Sequence, residues 1–302
     1  MKSPPVIVSG PFDEIRFGDL RFLEEASRFG DVHVLLWPDA AIEASRGRAP
    51  RFPLEERLYF LQAVRFVSRV TLLTELENQN ELPRDAIQGA RLWVDVESAS
   101  TAARRECGRK LGLEYRVVAA DSLSGLTASG SSASGVIESQ DPRHRSSAAT
   151  PGAEGIQKGR GCGSQRKKKV VVTGCYDWLH SGHVRFFEEV SAYGDLYVIV
   201  GHDANIRLLK GEGHPLLSQE ERRYLVGAIR FVKQGLISSG NGWLDADPEI
   251  RRLRPDIYAV NEDGDRGGKR EYCNQLGLEY LVLKRAPAPG LPRRTSTELR
   301  GY

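Results

Sequence analysis

The chain is written twice. At an offset of 164 residues, Val8-Ser-Gly-Pro-Phe-Asp-Glu-Ile-Arg-Phe-Gly-Asp-Leu-Arg-Phe-Leu-Glu-Glu25 lies on Val172-Thr-Gly-Cys-Tyr-Asp-Trp-Leu-His-Ser-Gly-His-Val-Arg-Phe-Phe-Glu-Glu189, and Gly30-Asp31 on Gly194-Asp195. After one inserted residue the offset becomes 165, setting Glu55-Glu56-Arg57 on Glu220-Glu221-Arg222, Arg65-Phe66-Val67 on Arg230-Phe231-Val232, and the Leu-Gly-Leu-Glu-Tyr ending at Tyr115 on that ending at Tyr280. A repeat this long obliges two copies of one fold. The length of 302 residues, at roughly 150 per domain, accommodates both.

Between the copies the composition turns to Ser, Gly, Ala and Pro without apolar periodicity, which predicts domains at 1–120 and 170–302 joined by a disordered linker over 121–169. The linker holds eight bases and four acids, a net +4, so the rest of a chain of formal charge +3 carries about −1. Near-neutral domains argue against a nucleic-acid footprint. The basic run Arg166-Lys167-Lys168-Lys169 reads as a solvated hinge, with a nuclear address or polyanion patch as its rival. No stretch reaches the ~18 apolar residues of a membrane span, and Met1–Pro5 passes directly into Val6-Ile7-Val8, so neither a span nor a targeting leader is expected. Cys107, Cys162, Cys175 and Cys273 are scattered, as free thiols of a reducing, cytoplasmic compartment are.

The second copy alternates apolar β-rich runs with amphipathic segments. Strands are expected at 170–173, 196–200, 257–260 and 280–283, and helices at about 182–192, 218–231 and 267–276. Ser218-Gln-Glu-Glu221 is a capping box, Asp247-Pro248 an N-cap with proline in the first turn, and Gly277 a C-cap. This alternation predicts a doubly wound parallel α/β sheet, whose ligands sit beyond the carboxyl ends of the strands.

Chemistry concentrates where the first of these strands ends. Thr173-Gly174 leads through Cys175 and Tyr176 to His180-Ser-Gly-His183 at a helix start. Free N–H groups, the helix dipole and two imidazoles there suit a phosphate. Gly174 is read as letting the ligand approach the backbone, and Gly182 as keeping the space between the histidines open. Two other readings stay open at this point: capping or surface histidines, and an i, i+3 metal pair. Cys175 is read as a pocket wall rather than a nucleophile, and Glu262, Asp263 and Asp265 as loop acids or Mg²⁺ ligands.

Three segments in order, Thr173–His183, Lys210-Gly211 ahead of Glu220-Glu221-Arg222, and Arg294-Thr295-Ser296-Thr297, resemble the cytidylyltransferase-like nucleotidyltransferases of the H-x-G-H type. The tandem arrangement resembles ethanolamine-phosphate cytidylyltransferase with a degenerate first copy. The resemblance implies two Rossmann-like domains, catalytic roles for His180, His183 and Lys210, and nucleotide contacts from Thr173, Gly174, Cys175, Tyr176, Gly182, Arg294, Thr295, Ser296 and Thr297. It also implies CTP or ATP with Mg²⁺ as donor, and a phosphorylated alcohol or sugar such as phosphoethanolamine or glycerol phosphate as acceptor, in phospholipid biosynthesis. No separate protein metal site is expected. The first copy has Arg16, Asp19 and Arg46 in place of the histidines and the lysine, so it is expected to be inactive and to pair with the second as an intramolecular pseudo-dimer. A non-catalytic nucleotide-binding regulator is the alternative.

Overall fold

The computed structural model describes residues 4–76, 78–124 and 166–300. The first half runs β1 Pro5–Gly10, α1 Phe17–Ser27, β2 Asp31–Leu36, α2 Asp39–Arg46, α3 Leu54–Ala63, β3 Val67–Leu72, β4 Leu92–Val96, α4 Ala102–Lys110, β5 Glu114–Val118 and α5 Ala120–Leu123. The second runs β6 Lys169–Gly174, α6 Ser181–Ser191, β7 Asp195–Val200, α7 Asp203–Lys210, α8 Gln219–Gly227, β8 Val232–Ile237, α9 Asp247–Leu253, β9 Ile257–Asn261, α10 Lys269–Leu276, β10 Glu279–Leu283 and α11 Ser296–Arg300.

Each half is a five-stranded parallel sheet, in the orders β3-β2-β1-β4-β5 and β8-β7-β6-β9-β10, which are the same order under the repeat. The strand order reverses between β1 and β4 and between β6 and β9, the place where such sheets open a crevice. The central strands are buried on both faces: Val170, Val171, Val172, Val198 and Val200 are almost wholly inaccessible, which is why they read as continuous apolar runs.

The repeat extends to buried polar atoms. Asp177 accepts from the amides of Leu216 and Leu217, and Asp13 accepts likewise from Arg51 and Phe52. Arg222, fully buried, donates to the carbonyls of Leu217 and Cys175 and to Asp203, while Arg57 donates to Phe52, Pro11 and Asp39. These matched acids and arginines hold each half's loops together, since a buried guanidinium must spend its donors. The shared Glu-Glu-Arg motif is thus largely scaffold.

One apolar core spans both halves, because α1 packs on α8 and α3 on α6. Equivalent residues meet across the boundary. Arg65 N–H donates to the Ala228 carbonyl and Arg230 N–H to that of Ala63, each at 2.9 Å, around an antiparallel bridge between Val64 and Ile229. The Tyr59 hydroxyl donates to Glu188 and the Tyr224 hydroxyl to Glu24.

Several expectations change. Asp121 lies inside α5 and Lys169 opens β6, so the linker is shorter at both ends; residues 125–165, including Cys162, lie outside the described residues. Arg166, Lys167 and Lys168 are exposed, as a solvated run should be, and pair at the surface with Asp256, Asp195 and Glu279, whereas Lys169 belongs to β6 and its ammonium donates to the Leu253 carbonyl. The helix opened by Ser218 stops at Gly227, not Phe231, since Ile229 and Arg230 are engaged by the first half; β8 follows, its pattern broken by Gly235. Ala246, not Asp247, caps α9; Asp247 instead accepts from Arg251 and Tyr272.

Candidate active site

A cavity of about 700 Å³ opens at the carboxyl ends of β6 and β9, lined by Thr173, Gly174, Cys175 and Tyr176 on one side and by Ala259, Val260 and Asn261 on the other. His180 and His183 form its floor at the start of α6, their rings 4.0 Å apart.

His180 is the N-cap of α6: its Nδ1 accepts the Gly182 N–H at 3.1 Å. That hydrogen bond sets the tautomer. A neutral imidazole accepting at Nδ1 carries its proton on Nε2, and this Nε2 is buried without a partner. His183 likewise leaves its Nδ1 buried without one. Two orphaned imidazole nitrogens side by side are costly unless a ligand satisfies them.

Burial, reinforced by the cations Arg285 and Arg294, lowers the His180 pKa to about 4. His183 is driven well below its usual value by burial, then by His180, Arg285 and Lys210. Both are neutral near pH 7, so His180 offers its Nε2–H rather than charge, while His183 is held by the Trp178 backbone. His33 is lowered to about 4 as well, by burial and then Arg69. At His180 and His33 an unfolded chain takes up protons around pH 6.5, whereas the folded chain resists until about pH 4. Stability is therefore expected in full above about pH 6.5 and to fall as the pH drops toward 4, by roughly 1.4 kcal/mol per pH unit for each histidine. Urea unfolding at pH 7.5, 6 and 5 tests this; His33→Gln and His180→Gln should each flatten the slope, and a slope unchanged in both variants contradicts it.

Positive charge comes from three directions. Lys210 lines the cavity from the exposed end of α7, Arg285 follows β10, and Lys269 opens α10 with its ammonium on the Gly264 carbonyl at 2.6 Å. Arg285 and Lys269 were missed in the sequence because they fall outside the repeated segments, and the topology brings them in from the far edge. The acids of the loop after β9 are occupied: Glu262 accepts from the Arg285 amide, Asp263 pairs with the Arg285 guanidinium, and Asp265 accepts from Tyr280.

The structure separates the expected residues. His180, His183, Gly182, Lys210, Thr173, Gly174, Cys175, Tyr176, Ser296 and Thr297 share the cavity. Arg294 and Thr295 do not line it: the Arg294 side chain pairs with Glu56, and the Thr295 hydroxyl accepts from the Glu298 amide at the start of α11. At Gly182 a Cβ would lie 2.9 Å from His180 Cε1, so the glycine makes room for the His180 ring. At Gly174, which lines the cavity, a Cβ would lie 2.8 Å from the ring of Tyr176, whose own backbone is left-handed (φ 54°), so the glycine also makes room for that ring.

In the first half, the equivalent cavity of about 890 Å³ is lined by Asp13, Glu14, Asp19 and Asp95, with Arg46 paired to Asp13 and Arg104 to Asp95. The pairs spend both arginines on protein carboxylates. Four acids against two arginines leave this lining negative and poorly suited to a polyphosphate.

No helix among the described residues is long and apolar enough to cross a membrane. Residues 171–287 match the family model described as cytidylyltransferase-like. Over 126 residues the chain is 41% identical to FAD synthase of Pyrococcus horikoshii, covering 40% of this chain and 82% of that protein. It is 34% identical to FAD synthase of Ferroglobus placidus over 120 residues, 39% of this chain and 75% of the relative. The bifunctional protein HldE of Geobacter sulfurreducens is 45% identical over 101 residues, 33% of this chain but only 20% of HldE. With a relative of this identity covered over four fifths of its length, and the family model on the stretch that builds the cavity, the chain belongs to the cytidylyltransferase-like family of nucleotidyltransferases.

Proposed function

We propose that the second half transfers a nucleotidyl group from CTP or ATP to the phosphate of a small phosphorylated molecule, releasing pyrophosphate. The observation that carries this reading is the pair of orphaned, neutral imidazoles at a helix N-terminus, facing a cavity rimmed by Lys210, Lys269 and Arg285. An acceptor phosphate oxygen attacks the α-phosphorus in line; the new P–O bond forms as the bond to the β-phosphate breaks, and pyrophosphate leaves with the electron pair. Nε2–H of His180, beside His183, donates to the α-phosphate oxygens as charge builds on them, and the cations with Ser296 and Thr297 receive the pyrophosphate. Asp177 and Asp263 are committed to backbone amides and to Arg285, so Mg²⁺ would ride on the triphosphate oxygens, where it screens their charge.

The base and the acceptor follow from the relatives only as proposals. Flavin adenine dinucleotide, the product named for the archaeal relatives, contains an adenylyl group, which supports ATP beside CTP and adds a flavin mononucleotide to the acceptors worth testing. A pyrophosphate-release screen should cross the four nucleoside triphosphates with flavin mononucleotide, phosphoethanolamine, phosphocholine, glycerol 3-phosphate and sugar phosphates. One combination is expected to exceed the rest by at least about tenfold, since a site that hydrogen-bonds its substrate rejects analogues strongly. No release above background with any pair refutes transfer and leaves a nucleotide-binding regulator.

The first half, in this reading, pairs with the second inside one chain. The symmetric contacts of Arg65 with Ala228 and of Arg230 with Ala63 support an intramolecular pseudo-dimer that is monomeric in solution.

A further inference from the structure

Glu56 sits on α3 of the first half, yet its carboxylate is spent on the second. It is 2% exposed, accepts the Ser181 hydroxyl at 2.5 Å, and takes Arg294 through Nη2 at 2.8 Å and Nε at 3.1 Å. Its repeat equivalent, Glu221, instead folds back to cap α8 with Ser218. The difference traces to one residue: Pro53 stands where Ser218 stands, so α3 has no hydroxyl cap for Glu56 to complete.

Both groups that Glu56 holds belong to the cavity's frame. Ser181 is the first residue of α6, adjoining His180. The Arg294 carbonyl accepts from Arg285 at 3.0 Å, and Arg294 immediately precedes the turn that brings Ser296 and Thr297 to the cavity. Neighbouring contacts act the same way: the Arg294 guanidinium lies over the Phe52 ring, and Arg51 donates to the Leu299 carbonyl.

We propose that Glu56 is a positioning residue for the second half's phosphate pocket, tying Arg294 to the start of α6 and so fixing the wall that carries Ser296 and Thr297. The degenerate copy then supplies part of its partner's site. This rests on the nucleotidyltransferase reading for the identity of the ligand, but not for the geometry of the tie.

The test uses the full chain with Glu56→Gln, Arg294→Gln and the double substitution. In nucleotide-free protein, amide hydrogen exchange over 294–300 is expected to rise about tenfold in each single variant and no further in the double, while β6 and β7 keep their protection. The affinity for MgATP or MgCTP should weaken about tenfold in Glu56→Gln, with AMP or CMP binding unchanged, because a monophosphate does not reach the wall. Unaltered exchange over 294–300 overturns the proposal. So does a rise spread evenly over the chain, an additive double variant, or equal weakening of mono- and triphosphate. If the wild type binds no nucleotide, the nucleotidyltransferase reading falls and the exchange measurement decides the tie alone.

Discussion

Replacing His180 or His183 with alanine is expected to cut turnover about 10²- to 10³-fold, or about 2.7–4 kcal/mol of transition-state stabilisation for each lost imidazole. The magnitude follows from burial. An N–H aimed at developing charge in a water-poor cleft is worth far more than the same group in solvent, and both imidazoles have an orphaned nitrogen there. His180 has a second duty, because its Nδ1 caps α6 through Gly182 N–H. His180→Ala should therefore lose about 1 kcal/mol of stability as well. His180→Asn keeps a capping oxygen and removes the Nε2 donor, so it separates the roles: stability near wild type, turnover still down by at least about 10²-fold. Pyrophosphate release and urea unfolding on the same samples measure both, and a folded double variant with undiminished turnover removes the histidines from the mechanism.

The second large effect is expected on cutting the chain between its halves. Residues 166–302 expressed alone should lose much of their stability or self-associate. Ile229 is fully buried and Tyr224 lies edge-on to Phe17 with ring centroids 5.1 Å apart, so removing the first half bares an apolar face on α8 and the turn that follows it. Two such side chains at ~1.5–3 kcal/mol each amount to about 3–6 kcal/mol, against a total of roughly 5–15 kcal/mol for a native domain. The Arg230 and Glu188 side chains lose Val64, Val67 and Tyr59 as partners besides. Sedimentation velocity and a thermal melt of the fragment decide this. A monomer with the full chain's stability would show that the halves do not depend on one another.

Much of this molecule was legible in one dimension because it depends on local pattern. Buried parallel strands need unbroken apolar runs, and Val170–Val172 and Leu196–Val200 supply them; the Ser218 box forms because the two partners are three residues apart on the chain. The His180–His183 pair could be placed at a helix start for the same reason. Strand β8 escaped because Gly235 interrupts its pattern, and the end of α8 was misjudged because contacts from the other half compete for Ile229 and Arg230.

The repeat, read along the chain, was enough to require two like domains, and Arg16, Asp19 and Arg46 in place of the histidines and the lysine made the second the half in which phosphate chemistry is proposed. It was not enough to say where long cationic side chains end. Arg294 stands in the motif beside Ser296 but turns to Glu56, 238 positions away, whereas Arg285 and Lys269, outside the motif, reach the cavity. Backbone path and apolar periodicity are set by neighbours within a turn or two. A guanidinium on a flexible stem goes to whichever buried carboxylate the packing of two domains leaves without a partner, and Pro53, by removing the cap that Glu56 would have completed, left that carboxylate facing the second half.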